Sequence, residues 1–421
     1  MLDVKFIIEN PEAVKRGAAR KNVECDIDQI VKLYEDRNQA LQQVEELRAR
    51  QNKVSKEIPQ AQDKEPLLKE MTQVKEEIKS LEPKVNELEA KIDELAALVP
   101  NPPLDSVPDG GEEENQVVNT HGQQPKFDFE PKDHIELGKN LDIIDIERGV
   151  RTSGARFYYL KNAAVLLEFA LMQHISQKLV SKGFSPVIPP VLVQEKAMYA
   201  TGFFPADRNE IYHVNPEEDD LYLVGTSEVP LTMLHAEEII DNAQFPKRYF
   251  GFSPCFRREA GSYGKDTAGV LRVHQFNKME MFVFCHPDQS EEEHELIRQT
   301  EEEIMQDLGL HYQVVNIAAG DLGAPAAKKY DIEVWIPTQG KFRELTSCSN
   351  CTDFQARRSK IRFKDTEGNK SYAHTLNGTA FADTRTLIAI IENYQNADGS
   401  VTIPEILRPY MGGIDKITPK N

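Results

Sequence analysis

Leu67, Met71, Val74, Ile78, Leu81, Val85, Leu88, Ile92 and Leu95 recur at alternating spacings of four and three, in a stretch from Ile27 to Val99 that contains no glycine. Side chains three and four apart share one face of a helix, so this spacing is the apolar seam of a coiled coil. The preceding stretch carries a looser stripe of Ile27, Ile30, Tyr34, Leu41, Val44, Leu47, Val54 and Ile58. Pro59 and Pro66 bracket the gap between them, and proline is accepted at a turn or in a first helical turn but resisted inside a helix. The pattern predicts helix, tight reversal, helix: an antiparallel hairpin whose arms of roughly 30 residues would each span about 45 Å. Pro83 falls inside the second arm, where a local bend is expected.

Charge bears on what such an arm could touch. The chain of 421 residues has a net charge of -19, which argues against coating nucleic acid non-specifically, because neutralising phosphates needs a positive surface. Any nucleic-acid contact must be local. Between Arg48 and Lys84, nine basic residues stand against seven acidic ones, and Arg48, Arg50, Lys53 and Lys56 crowd the expected tip. A charge mixture of this kind is usually a solvated helical face, and charge alone favours that over a nucleic-acid contact.

PNPPLDSVPDGGEEEN, from Pro100 to Asn115, ends the arm as a proline, glycine and acid-rich linker. The expected division is an N-terminal domain over 1–105, a linker over 106–120 and a second domain over 121–421. The second domain has mixed character, with a helix expected from about Arg156 to Lys182, the extended segment SPVIPPVLV, and later helices such as TRTLIAIIENYQ. The fold class is α+β, an antiparallel sheet flanked by helices behind the helical arm. Five cysteines, no signal peptide and no long apolar run indicate a reducing compartment, the cytoplasm, with no membrane partner. Cys348 and Cys351 form a lone CxxC with no second pair at zinc-site spacing, which reads as a structural or incidental pair. No GxxxxGK[ST] or GxGxxG occurs, so a nucleotide would be held without the usual glycine loops.

Two strand-like runs carry charge where burial would be expected. In YFGFSPCFRRE, alternation sets Phe250, Phe252 and Phe256 against Gly251, Cys255, Arg257 and Glu259. In the run from Arg272 to Phe284, the even positions place Arg272, His274, Phe276, Lys278 and Glu280 together. Between them lie the twelve residues from Ala260 to Leu271, with Gly261, Gly264 and Gly269, long for a hairpin turn and suited to a functional loop. An arginine can grip phosphate through two parallel hydrogen bonds and an aromatic ring can stack on a base, so Arg257, Glu259, Phe276 and Glu280 would suit a nucleotide. A solvated edge hairpin would also satisfy this stretch taken alone.

In FRELTSCSN, Glu344 and Ser347 offer the hard oxygens that magnesium accepts when substrate phosphates supply the remaining ligands, although a buried acid paired with an arginine such as Arg343 would use the same residues. HTLNGTAFADTRTLIAIIENYQ combines a small polar turn at Asn377 to Thr379 with Arg385 in the first turn of an amphipathic helix. A cation there opposes the helix dipole, so helix stability does not explain it. It suits an anion hook.

FRREAG, RVHQFNKMEMF, GTSEVPLT, ELTSCSN, QARR and NGTAFADTR, behind a helical arm and a PNPP linker, resemble the bacterial-type seryl-tRNA synthetases, which are class II aminoacyl-tRNA synthetases. The likeness covers nearly the whole chain, with motifs in the family's order. It implies activation of L-serine by ATP to seryl-adenylate and pyrophosphate, then transfer to tRNA(Ser), with tRNA(Sec) a second acceptor by analogy. It also implies a homodimer formed through motif 1, from Arg156 to Pro190, a cytoplasmic role in protein synthesis, and no DNA partner.

Residue by residue, the resemblance assigns ATP to Arg257, Arg258, Glu259, Val273, Phe276, Glu344, Leu345, Thr346, Ser347 and Arg385. Arg257 would bind the α-phosphate, Phe276 would stack on adenine, and Arg385 would bind the γ-phosphate. Serine falls to Thr226, Ser227, Glu228, Arg257, Glu280 and Thr379, and Mg2+ to Glu344 and Ser347, with Arg257, Arg385 and Glu344 as the catalytic set. Many bacterial members have NGSGLAxGR where this chain reads NGTAFADTR, which keeps the spacing to Arg385 and the hydroxyl at Thr379. A ligase loading a carrier protein would lack the arm, and a coiled-coil adaptor with a degenerate domain would show gaps among Arg257, Glu280, Glu344 and Arg385; neither mark is present.

Overall fold

The computed structural model describes residues 2–260, 269–365 and 367–419. Most of the glycine-bearing segment expected to act as a loop therefore lies outside the described residues. The chain forms two compact units, Met1–Pro102 and Pro103–Asn421.

In the first unit, α1 (Val4–Glu9) and α2 (Pro11–Arg20) precede the long helices α3 (Ile27–Glu57) and α4 (Glu65–Leu98). Asp26 caps α3 by accepting from the Gln29 backbone N–H at 2.9 Å. Pro59 sits in a single 3-10 turn after α3, and Pro66 in the first turn of α4, where its missing N–H has no helical partner to lose. None of the nine seam positions of α4 is exposed. Leu2, Ile7, Ile27, Ile30, Ile92 and Ala96 build one core, and Ala40, Val44 and Val85 form a second cluster farther along the hairpin. Arg37–Glu89, Arg48–Glu82 and Arg50–Glu70 pair across the two helices. Two of the four cations crowded near the expected tip are thus already matched by carboxylates. Helix α4 continues through Pro83, whose missing N–H leaves the Lys79 carbonyl without its usual donor.

The second unit is organised by an eight-stranded sheet. Its strands are β1 (Gln116–His121), β2 (Ser185–Val187), β3 (Lys247–Phe256), β4 (Gln275–Cys285), β5 (Tyr312–Asn316), β6 (Lys328–Ile336), β7 (Lys341–Asn350) and β8 (His374–Ala382). They lie in the order β1-β5-β6-β7-β8-β4-β3-β2, every neighbouring pair antiparallel except β2 with β3. The helices that matter for the site are α5 (His134–Asn140), α6 (Ala163–Ser181), α7 (Glu228–Thr232), α8 (Ser290–Asp307) and α9 (Asp383–Asn393). One sheet face packs under α6, α8 and α9 in a core that includes Met281, Val283, Leu171, Ile297, Ile304 and Ile388. On the other face, Phe282 and Phe284 join Leu231, Ile240 and Ala356 beside an open cleft.

Three expectations are corrected. The helix expected from Arg156 begins at Ala163: Arg156 and Asn162 have φ of 63° and 50°, and a short strand at Tyr159–Leu160 intervenes. Left-handed backbone cannot continue a right-handed helix. The linker expected over 106–120 is part of the second unit, because Val107 is buried with Val315 and Ile317, and Gln116–His121 is a sheet strand. Asn377 to Thr379 is no turn but the middle of β8. Gly378 serves close packing there, since a Cβ would stand 2.3 Å from Ile297 and 2.8 Å from Glu301 on α8.

Candidate active site

Strict alternation would send Glu344 and Ser347 to opposite faces of β7. Instead the pairing of β6 with β7 slips, so that Ile332 faces Thr346 while Glu333 faces Glu344, leaving Leu345 as an extra residue. A bulge of this kind reverses the parity of the strand beyond it. Glu344, Leu345 and Ser347 accordingly all line one cleft of about 450 Å³, and Thr346 is buried away from it. A second bulge, at Ala380 where Glu280 pairs Thr379 and Met279 pairs Phe381, brings Asn377, Thr379 and Ala382 to the same cleft.

One end of the cleft is rich in arginine. The Arg257 guanidinium lies 5.3 Å from the centre of the Phe276 ring, and its Nε donates to the Gly225 carbonyl at 3.2 Å. The contact holds a cation against an aromatic face and leaves the ring to form a wall of the cleft. Glu259, at φ 50°, turns the chain off β3 and meets Arg272 at 3.4 Å. Arg385, in the first turn of α9, donates to the Glu344 carbonyl at 3.1 Å and lies 3.3 Å from its carboxylate. Burial alone would raise the Glu344 carboxyl, but Arg385, Lys329 and Arg257 outweigh it and hold the group below the usual range. Its side chain remains 38% exposed to the cleft. An ionised carboxylate beside a serine hydroxyl, with Val273 and Leu345 as apolar walls, fits a magnesium nucleotide.

The other end is lined by buried polar side chains. Glu280 is 2% exposed, with Lys278 Nζ at 2.5 Å, and it accepts from Thr379 Oγ1 at 3.2 Å. Glu228, opening α7, accepts from Gln355 at 2.7 Å and from Asn377 at 3.0 Å. Burial, followed by the neighbouring charge of Glu280, pushes its carboxyl up to about 7. Thr226 lines the cleft, and its hydroxyl accepts from the Glu228 backbone N–H at 3.1 Å. Two carboxylates beside threonine hydroxyls suit a molecule that bears both an ammonium and a hydroxyl group.

Of the residues expected from the sequence, Arg257, Glu259, Val273, Phe276, Glu344, Leu345, Ser347 and Arg385 meet at the first end, and Thr226, Glu228, Glu280 and Thr379 at the second. Three side chains stand apart from the lining. Ser227 is buried and donates to the Gly251 carbonyl at 3.0 Å, pinning α7 to β3. Arg258 is exposed, with its backbone N–H on the Glu210 carbonyl at 2.9 Å. Thr346 faces the other side of the bulge. Lys278, Lys329, Asn377 and Phe203 also line the cleft without having been assigned a role. Alternation had already put Lys278 on the charged face, whereas nothing local marks Lys329. Cys351 lines the cleft and Cys348 packs into the core on the far side of β7. Among the described residues, no group of three or more His, Cys, Asp or Glu side chains is placed to hold a metal ion by itself.

Comparison with known proteins is concordant over the whole chain. Residues 1–103 match the seryl-tRNA synthetase N-terminal domain, and residues 212–394 match the tRNA synthetase class II core domain (G, H, P, S and T). The serine–tRNA ligase of Clavibacter michiganensis is 47% identical over 422 residues, covering 100% of this chain and 98% of the relative. That of Thermobifida fusca is 48% identical, with 98% of each chain covered. Among solved structures, a seryl-tRNA synthetase from Pyrococcus horikoshii complexed with ATP superposes with a TM-score of 0.94 at 42% identity, covering 100% of both chains. The cytoplasmic enzyme of Naegleria fowleri, in complex with AMP, gives 0.89 at 34%, covering 100% of this chain and 99% of that one.

Proposed function

The chain belongs to the seryl-tRNA synthetase family, as a class II serine–tRNA ligase, and we propose that it performs both half-reactions with the residues of this cleft. In the first, a carboxylate oxygen of serine attacks the α-phosphorus of ATP, forming seryl-adenylate as the bond to pyrophosphate breaks. In the second, a ribose hydroxyl at the 3' end of tRNA(Ser) attacks the seryl carbonyl and AMP leaves. The observation that carries this reading is the continuity of one cleft from Arg385 and Glu344 through Arg257 to Glu280 and Thr379. It brings the residues proposed for a triphosphate and those proposed for an amino acid into one cavity, with Arg257 serving both sets.

Both steps need positioning and neutralisation of charge more than a protein base. Arg257 meets the charge that develops at the α-phosphate, Phe276 stacks on adenine, and Arg385 holds the γ-phosphate. Glu344 and Ser347 would hold a magnesium ion, which when bound supplies neutralisation of the phosphate oxygens. Glu280 and Thr379 select the serine hydroxyl, because alanine would leave these buried groups unpaired. Glu228 and Thr226 take the ammonium group, and Ser227 keeps α7 in place.

The first unit, residues 1–102, forms the tRNA-binding domain, with recognition of RNA shape and phosphates by the helical arm; tRNA(Sec) is a second acceptor by family analogy. A homodimer through α6 and the segment ending at Pro190 accounts for Leu166, Phe169, Val180 and Ile188, which are exposed large apolar side chains in one part of the fold. The working compartment is the cytoplasm; among the described residues no helix is long and apolar enough to cross a membrane. Serine-dependent ATP–pyrophosphate exchange followed by tRNA charging tests the function. Absence of exchange with every amino acid overturns it, and exchange without charging would favour a carrier-loading ligase.

A further inference from the structure

His134, which opens α5, lies outside the cleft yet touches the chain that forms its wall. Its Nδ1 is 2.8 Å from Glu392 Oε1, and the same oxygen accepts from the His134 backbone N–H at 3.1 Å. The second oxygen of Glu392 accepts from Thr338 Oγ1 at 2.6 Å and from its N–H at 3.4 Å. A carboxylate surrounded by four donors acts as an acceptor, so Nδ1 carries the hydrogen. Nε2 is then left as an acceptor, and it faces the Val270 backbone N–H at 3.4 Å. The side chains of His134 and Glu392 are 6% and 1% exposed, with Val270 equally buried. Gly269 completes the fit: at φ +78° it passes so close that a Cβ would stand 2.2 Å from His134 Nε2.

The placement of the two ends gives this contact its consequence. Val270 leads directly into Leu271, Arg272 and Val273, which line the nucleotide end of the cleft. Glu392 lies on α9, the helix whose first turn carries Arg385, about 10 Å along the axis at 1.5 Å per residue. His134 therefore ties the strand approach beside the nucleotide to the same rigid helix that presents the γ-phosphate arginine. The serine groups Glu280, Lys278 and Thr379 stand on mid-sheet strands and do not depend on this tie.

We propose that His134 is a positioning residue for ATP, which through its Nε2 contact with Val270 sets the nucleotide wall against α9. The proposal rests on the synthetase reading above. Two substitutions divide the two bonds of the imidazole. His134→Asn keeps a donor near the Nδ1 position for Glu392 but reaches no farther, whereas His134→Gln places an amide near the Nε2 position for Val270.

In ATP–pyrophosphate exchange, His134→Asn is expected to raise the KM for ATP about tenfold while the KM for serine moves less than about twofold. His134→Gln should restore most of the ATP KM. An unchanged ATP KM in His134→Asn, a parallel rise in both KM values, or failure of glutamine to restore more than asparagine would overturn the assignment. Should His134→Asn fail to fold, Gly269→Ala crowds Nε2 from the Val270 side of the same contact and must raise the ATP KM in the same selective way; an unchanged value there overturns the proposal too. Wild-type protein without exchange would instead count against the synthetase reading itself.

Discussion

Thr379 Oγ1 donates to Glu280 Oε2 at 3.2 Å across β4 and β8, at the point where the Ala380 bulge reverses the parity of β8. With Lys278 Nζ at 2.5 Å on the same carboxylate oxygen, the buried Glu280 side chain is oriented by two neighbours. In the proposed assignment a serine hydroxyl entering here would exchange hydrogen bonds with both groups. Thr379→Ala is therefore expected to lower kcat/KM for serine about 10- to 100-fold, with the KM for ATP nearly unchanged. Exchange measured with serine and with alanine checks it; an undiminished preference for serine would remove Thr379 from the selection.

Arg257 and Arg385 line the cleft without belonging to the buried core, so their loss should spare the fold. In the proposed assignment each meets charge on the phosphates, and removing such a group typically costs about 100- to 1000-fold in rate. Arg257→Ala and Arg385→Ala should melt near the wild-type temperature but form adenylate at rates reduced by that factor. Rates close to wild type in single-turnover adenylation would show that the phosphates lie elsewhere.

Much of this was legible in the residues, and what was not has physical causes. The seam from Leu67 to Leu95 has one solution because a heptad spacing with no glycine can hide its apolar side chains only against another helix. Arg385 was legible because its charge opposes the helix dipole. Glu344 and Ser347 were grouped by their chemistry, but the means was not legible: their opposite parity becomes a shared face only through Leu345, and a bulge belongs to the pairing of two strands. Gln116–His121 was passed over for a related reason. All six residues are exposed at the sheet edge, so the strand carries no burial pattern to read. Asn377 to Thr379 looked like a turn because Gly378 offers backbone freedom, whereas its use here is to admit α8 against the sheet.

With Glu228 in its proposed role beside the serine ammonium group, serine binding is expected to depend on pH. Burial and the adjacent Glu280 raise its carboxyl to about 7, so near neutrality it passes between forms. The ammonium group of serine favours the ionised form, and acidification through that value removes its counter-charge. The KM for serine should accordingly rise about tenfold between roughly pH 8 and pH 6, with the KM for ATP flat over the same range. Glu228→Gln should start from a higher serine KM and lose the pH dependence. A profile unchanged by that substitution would assign the effect to another group.

The helical arm can be shortened without opening either core of the first unit. Ile27, Ile30, Ile92 and Ala96 lie at its base, and Ala40, Val44 and Val85 form the next cluster, so removal of residues 48–82 with a short turn in their place leaves both buried sets intact. It also removes the Arg48–Glu82 and Arg50–Glu70 pairs, which are exposed and worth little to stability. The cleft lies wholly within the second unit, whose cores use none of these residues. Serine-dependent ATP–pyrophosphate exchange should therefore stay within about twofold of wild type, while the loss of several RNA phosphate contacts lowers tRNA charging by about 100-fold or more. A steady-state charging assay on the shortened protein, run beside the exchange assay, decides it. Equal loss in both would mean that the arm serves adenylation, and intact charging would mean that the tRNA is held by other surfaces.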